Sequence, residues 1–108
     1  MPPMNLKNIF DAKRFQDDKM VKSSLFSTAH LYYDLYCLEP GQSQKIHSHD
    51  TSDKVYLLLE GRAIVSIDNE EQELQPNQAA LAAAGQPHGV RNASSERAVL
   101  LVVTTPPP

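Results

Sequence analysis

The chain reads as short apolar stretches separated by polar turns, with little that repeats at helical spacing. Residues 1–20 are polar and mixed, with weak helical character from Phe10 to Phe15, and read as an arm ahead of the main fold. Strand signals dominate after that. Met20 to Thr28 is rich in small and β-prone residues. Ala29 to Leu38 alternates, with Leu31, Tyr33, Leu35 and Cys37 on one face and His30, Tyr32, Asp34 and Tyr36 on the other. Pro40-Gly41 closes that strand, because proline lacks an amide donor and glycine accepts unusual backbone angles. Val55 to Leu59 is short and wholly apolar, which predicts a strand buried on both faces. Ala63 to Ile67 alternates, and the polar turn Asp68-Asn69-Glu70 leads into a hairpin partner, Glu71 to Leu74. Pro76-Asn77 marks the next turn. Ala98 to Thr105 is a further strand, followed by a Pro106–Pro108 tail that cannot join a ladder.

Ala79 to Ala84 conflicts with local propensity, since alanine is the best helix former. The segment between Pro76 and Gly85 is too short for a stable isolated helix, so a strand of small side chains is expected there. Short strands recurring without long helices predict an all-β sandwich or barrel. The expected layout is an N-terminal arm or edge strand over residues 1–24, one barrel domain over 25–105 and the proline tail over 106–108.

Composition narrows the function classes. With 108 residues the chain is one domain's worth. The net charge is −3 and no basic run exceeds two residues, which argues against nucleic acid as a partner. No apolar stretch is long enough for a membrane helix. The opening Met1-Pro-Pro-Met-Asn-Leu-Lys7 lacks a signal-peptide layout, and the single cysteine, Cys37, makes no internal disulfide. A cytoplasmic protein is the expectation. Cys37 on an apolar strand face reads as a buried free thiol rather than a reactive one. Tyr33 and Tyr56 are candidates to line a cavity, Tyr32 and Tyr36 to lie on an outer face or a dimer contact, although strand aromatics are more often packing. There is no glycine-rich phosphate loop, no Ser/His/Asp signature and no Cys-x-x-Cys.

The histidines carry the chemical signal. His47-Ser48-His49 places two imidazoles on one strand face, their Cα atoms about 6.5–7 Å apart, where both can converge on one metal ion. By itself a His-x-His is commonly a solvated pair. His88 opens another strand after Gly85-Gln86-Pro87, and Asp50 and Asp53 lie close by in sequence. His30 has no partner in sequence and reads as an ordinary surface histidine.

Two stretches resemble the motifs of the cupin family. The segment from Gly41 through His47-Ser-His49, then Val55 to Glu60-Gly61, is similar to the first motif: Gly, five residues, His-x-His, a short spacer, Glu, six residues, Gly. Asn77, Ala83-Ala84-Gly85, His88 and Asn92 reproduce the spacing of the second, with Asn77 in place of its first glycine and Ala83 in place of its proline. The resemblance implies a small cupin: a double-stranded β-helix, or jelly-roll barrel, commonly dimeric, with a metal held by histidines. It implies a divalent transition metal (Zn, Fe, Mn, Ni or Cu) and a small-molecule ligand.

One departure matters. The position of the family's metal-binding glutamate is occupied by Lys54, a cation with no lone pair while protonated. The shorter spacer puts Asp53 in that place instead, which would need a register change or a bulge before Gly61. Three arrangements stay open: a metal on His47, His49 and His88 alone; the same metal with Asp53 as a further ligand; or a metal-free pocket in which the histidines and Lys54 bind an anion. The corresponding functions are a small-molecule metalloenzyme, oxygenase- or isomerase-like, and a non-catalytic ligand-binding protein. A homodimer is expected, with the N-terminal segment pairing on a partner's sheet to cover an exposed edge.

Overall fold

A computed structural model of the protein describes residues 3–108. Apart from one 3₁₀ turn, Ile9–Ala12, the regular structure is all strand: β1 (Val21–Ser27), β2 (Tyr32–Leu38), β3 (Ser43–His47), β4 (Asp53–Glu60), β5 (Ala63–Ile67), β6 (Glu70–Leu74), β7 (Ala79–Ala82), β8 (His88–Arg91) and β9 (Ala98–Thr105). They form two antiparallel sheets, ordered β1-β2-β9-β4-β7 and β3-β8-β5-β6, folded face to face as a jelly-roll barrel. The alanine segment is strand β7, because pairing with β4 outweighs its helical preference.

The barrel interior is one apolar cluster with Tyr36, Leu38, Tyr56, Leu58, Val65, Leu74, Val90, Leu100 and Val102 at its heart. A second cluster lies on the outer face of the larger sheet: Leu25, Leu35, Cys37 and Val99, covered by Ile9, Ala12 and Phe15 of the N-terminal segment. That segment packs on its own chain's sheet. Lys13 clamps it further, pairing with Glu60 at 3.0 Å.

This cover corrects the reading of β2. Its more apolar face, Tyr33, Leu35 and Cys37, turns outward beneath the arm, while Asp34, Tyr36 and Leu38 face the barrel. The more hydrophobic face marks burial but does not say under which layer. Tyr36 is thus an interior residue and Tyr33 is not. Cys37 is buried, and burial pushes its thiol pKa up, which keeps it inert. Strand β4 also departs from expectation, since only its Lys54, Tyr56 and Leu58 face is fully buried.

At the closed end, buried Asn92 donates to the carbonyls of Leu38 (3.1 Å) and Glu96 (2.7 Å). Gly61 turns the chain out of β4 at φ +77°, and a Cβ there would collide with the Arg97 carbonyl. Gly61→Ala combines left-handed strain with a backbone clash. It should cost about 3 kcal/mol or more of stability, read as a lower urea midpoint with an unchanged slope.

Candidate metal centre

A β-bulge aims the first histidine. Gln44 pairs with Val90 and His47 with His88, so Lys45 and Ile46 together oppose Gly89. Three residues apart, Gln44 and His47 would lie on opposite faces of a regular strand; the extra residue turns both inward. Gly89 makes room for it, since a Cβ there would stand 2.9 Å from the Gln44 carbonyl oxygen and 3.2 Å from Ile46. His49 lies just beyond the end of β3, so it reaches the cluster from the following bend and not along a continuous strand.

His47, His49 and His88 come together, with one potential ligand nitrogen from each within 4.8 Å of the others. Ring centroids are 4.8 Å apart for His47 and His49, 4.4 Å for His47 and His88, and 5.7 Å for His49 and His88. Two of the rings are fixed by backbone carbonyls. His47 Nδ1 lies 2.8 Å from Lys45 O, and His88 Nδ1 lies 2.9 Å from Gln86 O. A carbonyl only accepts, so each Nδ1 carries the proton and each Nε2 of the neutral ring presents a lone pair. The His88 Nε2 is buried with no hydrogen-bond partner among the described residues. Burial lowers the pKa of His88, against the opposing bond to Gln86, and that of His49, and the nearby cations push both the same way, which favours the neutral rings that metal binding requires. The donor set therefore fits a borderline first-row metal.

Asp53 stands outside this cluster. Its carboxylate is exposed and accepts the Ala84 N–H at 2.9 Å. A bulge does precede Gly61, at Leu59, but pairing with β9 is regular from Asp53 to Leu58, and Lys54 is the residue turned toward the histidines. Lys54 is only 3% exposed, and its Nζ lies 3.3 Å from His47 Nε2. Burial brings the ammonium down to about pKa 8; the charge of Lys22 acts in the same direction and Asp34 opposes it.

Around the histidines the inner wall is polar. Tyr56 is fully buried, its hydroxyl has no partner, and burial raises its pKa. Gln44 donates to the Tyr36 hydroxyl at 3.3 Å, and burial pushes Tyr36 up to about 12. Asp34, also buried, has its pKa raised by desolvation against the pull of Lys22 and Lys54. Sequence reasoning passed over Asp34, Gln44 and Lys22. The one available signal was Asp34 itself, a lone acid inside the run Tyr32 to Leu38. A cavity of about 400 Å³ opens here, shared by Lys22, Asp34, His47, His49 and Lys54. A larger one, about 590 Å³, lies between β6 and β7 but is walled by Val65, Ile67, Ala80 and Leu81 and holds no histidine.

The family model for the cupin domain matches residues 34–104. The crystal structure of TT1209 from Thermus thermophilus superposes with a TM-score of 0.95 at 50% identity, covering 97% of this chain and 100% of that one. Among curated proteins, an uncharacterized protein of Methanocaldococcus jannaschii, MJ1618, is 30% identical over 62% of this chain and 54% of its own. The tetracenomycin polyketide synthase protein TcmJ of Streptomyces glaucescens is 38% identical over 51% of this chain and 37% of its own. The chain thus spans about half, or less, of the length of these curated relatives.

Two expectations follow from the site's construction. Lys54→Met removes a buried cation whose ionic form is poorly solvated, so metal-free protein at pH 7 should gain about 1–3 kcal/mol in urea unfolding. No gain would mean that the contact with His47 offsets the cost of burial. Gly89→Ala should cost about 1–3 kcal/mol through crowding and also weaken metal uptake, because the bulge that aims His47 must shift. Calorimetric metal titration checks the second effect.

Proposed function

The chain belongs to the cupin family, and we propose that it is a metal-binding cupin that takes a small anionic molecule at a three-histidine centre. The observation that carries this reading is the buried, partnerless Nε2 of His88 beside the fixed ring of His47. An orphaned buried acceptor is costly unless something satisfies it, and a divalent cation does so. His47, His49 and His88 would hold the ion. When bound, it supplies Lewis acidity and open positions for an oxygen donor.

The chain's own residues set what can approach. Lys54 offers an ammonium where an acidic ligand stands in the family motif, so it favours an anion at the centre and disfavours a second cation. Its charge would neutralise a carboxylate or an enolate bound there. Tyr56 offers a hydroxyl that can donate to, or accept from, the same molecule. These parts suit oxygenase- or isomerase-type turnover of a small molecule. We place the protein in the cytoplasm as a homodimer, with the β1 edge as the seam.

One contact favours a second reading. The 3.3 Å separation of Lys54 Nζ and His47 Nε2 occupies the lone pair a metal needs. In that state the pocket is a metal-free anion binder.

Metal analysis after dialysis against Mn, Fe, Ni, Cu and Zn decides between them. A stoichiometric ion in wild type, lost in His47→Ala/His49→Ala with the barrel still folded by circular dichroism, supports the metal centre. No retained ion from any of the five leaves the anion binder. Lys54→Glu should tighten metal binding by about tenfold or more, because a repelling charge becomes a ligand. Light scattering should give twice the 12.0 kDa chain mass; a monomer would refute the dimer.

A further inference from the structure

We propose that the anion is a small dicarboxylate carrying a hydroxyl, with one carboxylate at Lys54, the other at Lys22 and the hydroxyl at Asp34; this rests on the anion-taking centre proposed above. The cavity beside the histidines draws on all three of these residues. The protein as a whole carries a net charge of −3, yet the side chains lining this cavity include three lysines, Lys22, Lys45 and Lys54, and one carboxylate, Asp34. None of the three lysines belongs to an ion pair among the described residues; the pairs present are Lys13–Glu60, Arg91–Glu71 and Arg97–Glu39. Three ammonium groups against one side-chain carboxylate leave the cavity with a cationic excess, and an anion completes it.

Lys45 is exposed on the bulge, and the placement of the other two lysines selects the shape of that anion. Lys22 pairs with Tyr36 across β1 and β2, which puts it on the inner face, and its ammonium lies 5.6 Å from the Tyr36 ring centre. Lys54 enters from β4, with β2 and β9 between the two strands. Three strand spacings across the sheet and four residues along it, from the Leu100 level of Lys22 to the Thr104 level of Lys54, put the two backbones roughly 20 Å apart. Two lysine side chains extended toward one another would narrow that distance to the span of a short diacid. A monocarboxylate at Lys54 leaves Lys22 without a counter-charge. A phosphate concentrates its charge at one point, where arginines or a nest of backbone amides would be expected to gather, and no arginine lines this cavity.

Asp34 adds a second discrimination. A buried carboxylate beside a bound anion is repulsive unless it accepts a proton-bearing group. Asp34 sits opposite Val102 on β9, in the row next to Lys54 and Thr104, and makes no side-chain hydrogen bond among the described residues. A hydroxyl on the diacid would donate to it. An unsubstituted diacid would leave the repulsion in place.

The test is calorimetric titration with acetate, succinate, malate and inorganic phosphate, on manganese-loaded and on chelator-treated protein, with metal content measured on the same samples. Malate should bind more tightly than succinate, and succinate about tenfold more tightly than acetate. Lys22 is exposed on an edge strand, so Lys22→Gln should fold normally. It should bring succinate and malate down to the level of acetate while leaving acetate unchanged. Asp34→Asn should erase the advantage of malate over succinate. Acetate binding as tightly as succinate, phosphate binding more tightly than malate, or Lys22→Gln leaving succinate unaffected would each overturn the proposal. Protein that never takes up metal defeats the metal-centre reading alone: a malate preference that persists after chelation and disappears in Lys22→Gln still supports the paired lysines.

Discussion

Every interior position in this barrel is governed by the two-residue alternation of a β-strand and by the places where one extra residue interrupts it. Register shifts occur at Leu25 on β1, at Lys45-Ile46 on β3 and at Leu59 on β4. The second is the decisive one. It turns Gln44 and His47 to the same side, so one strand contributes both a wall residue and a candidate ligand. Between interruptions the pleat is strict, and on β4 it selects Lys54 over its neighbour Asp53.

The same alternation lays out a gradient along the barrel axis. On β2 the inward residues run Tyr32, Asp34, Tyr36, Leu38; on β4, Lys54, Tyr56, Leu58; on β9, read backwards, Thr104, Val102, Leu100, Ala98. In each strand the polar residues lie at the mouth and the aliphatic ones at the base. The base supplies hydrophobic stabilisation, while the mouth holds a buried lysine, a buried aspartate and partnerless polar atoms. Stability and chemistry are divided between the two ends, which is why substitutions among the histidines need not threaten the fold.

Much of this was legible from the residues. The strands from Ala63 to Ile67 and from Ala98 to Thr105 have the bounds their alternation and composition indicate, because β-branched and leucine-rich runs between turn residues have few other uses. The grouping of His47, His49 and His88 followed from the resemblance to the two cupin motifs and not from the His-x-His pair alone. The orientation of β2 did not, since hydrophobicity reports burial and not which layer provides it: the arm over Cys37 is a tertiary fact. The bulge at Lys45-Ile46 was hidden for a similar reason. Its determinant is the absence of a side chain at Gly89, far along the chain on the partner strand. The neighbourhood of Asp34 and Lys22 depends on strand order, which no local pattern encodes.

The buried lysine has a genetic consequence. Lysine and glutamate codons differ by a single first-base change, so Lys54 is one mutational step from an acidic residue at a position already aimed at three imidazoles. That step would shift the net charge from −3 to −5 and replace a buried cation with a fourth potential metal donor on the same strand. The barrel is thus a scaffold on which two binding chemistries are adjacent in sequence space, separated by one side chain and not by a change of architecture.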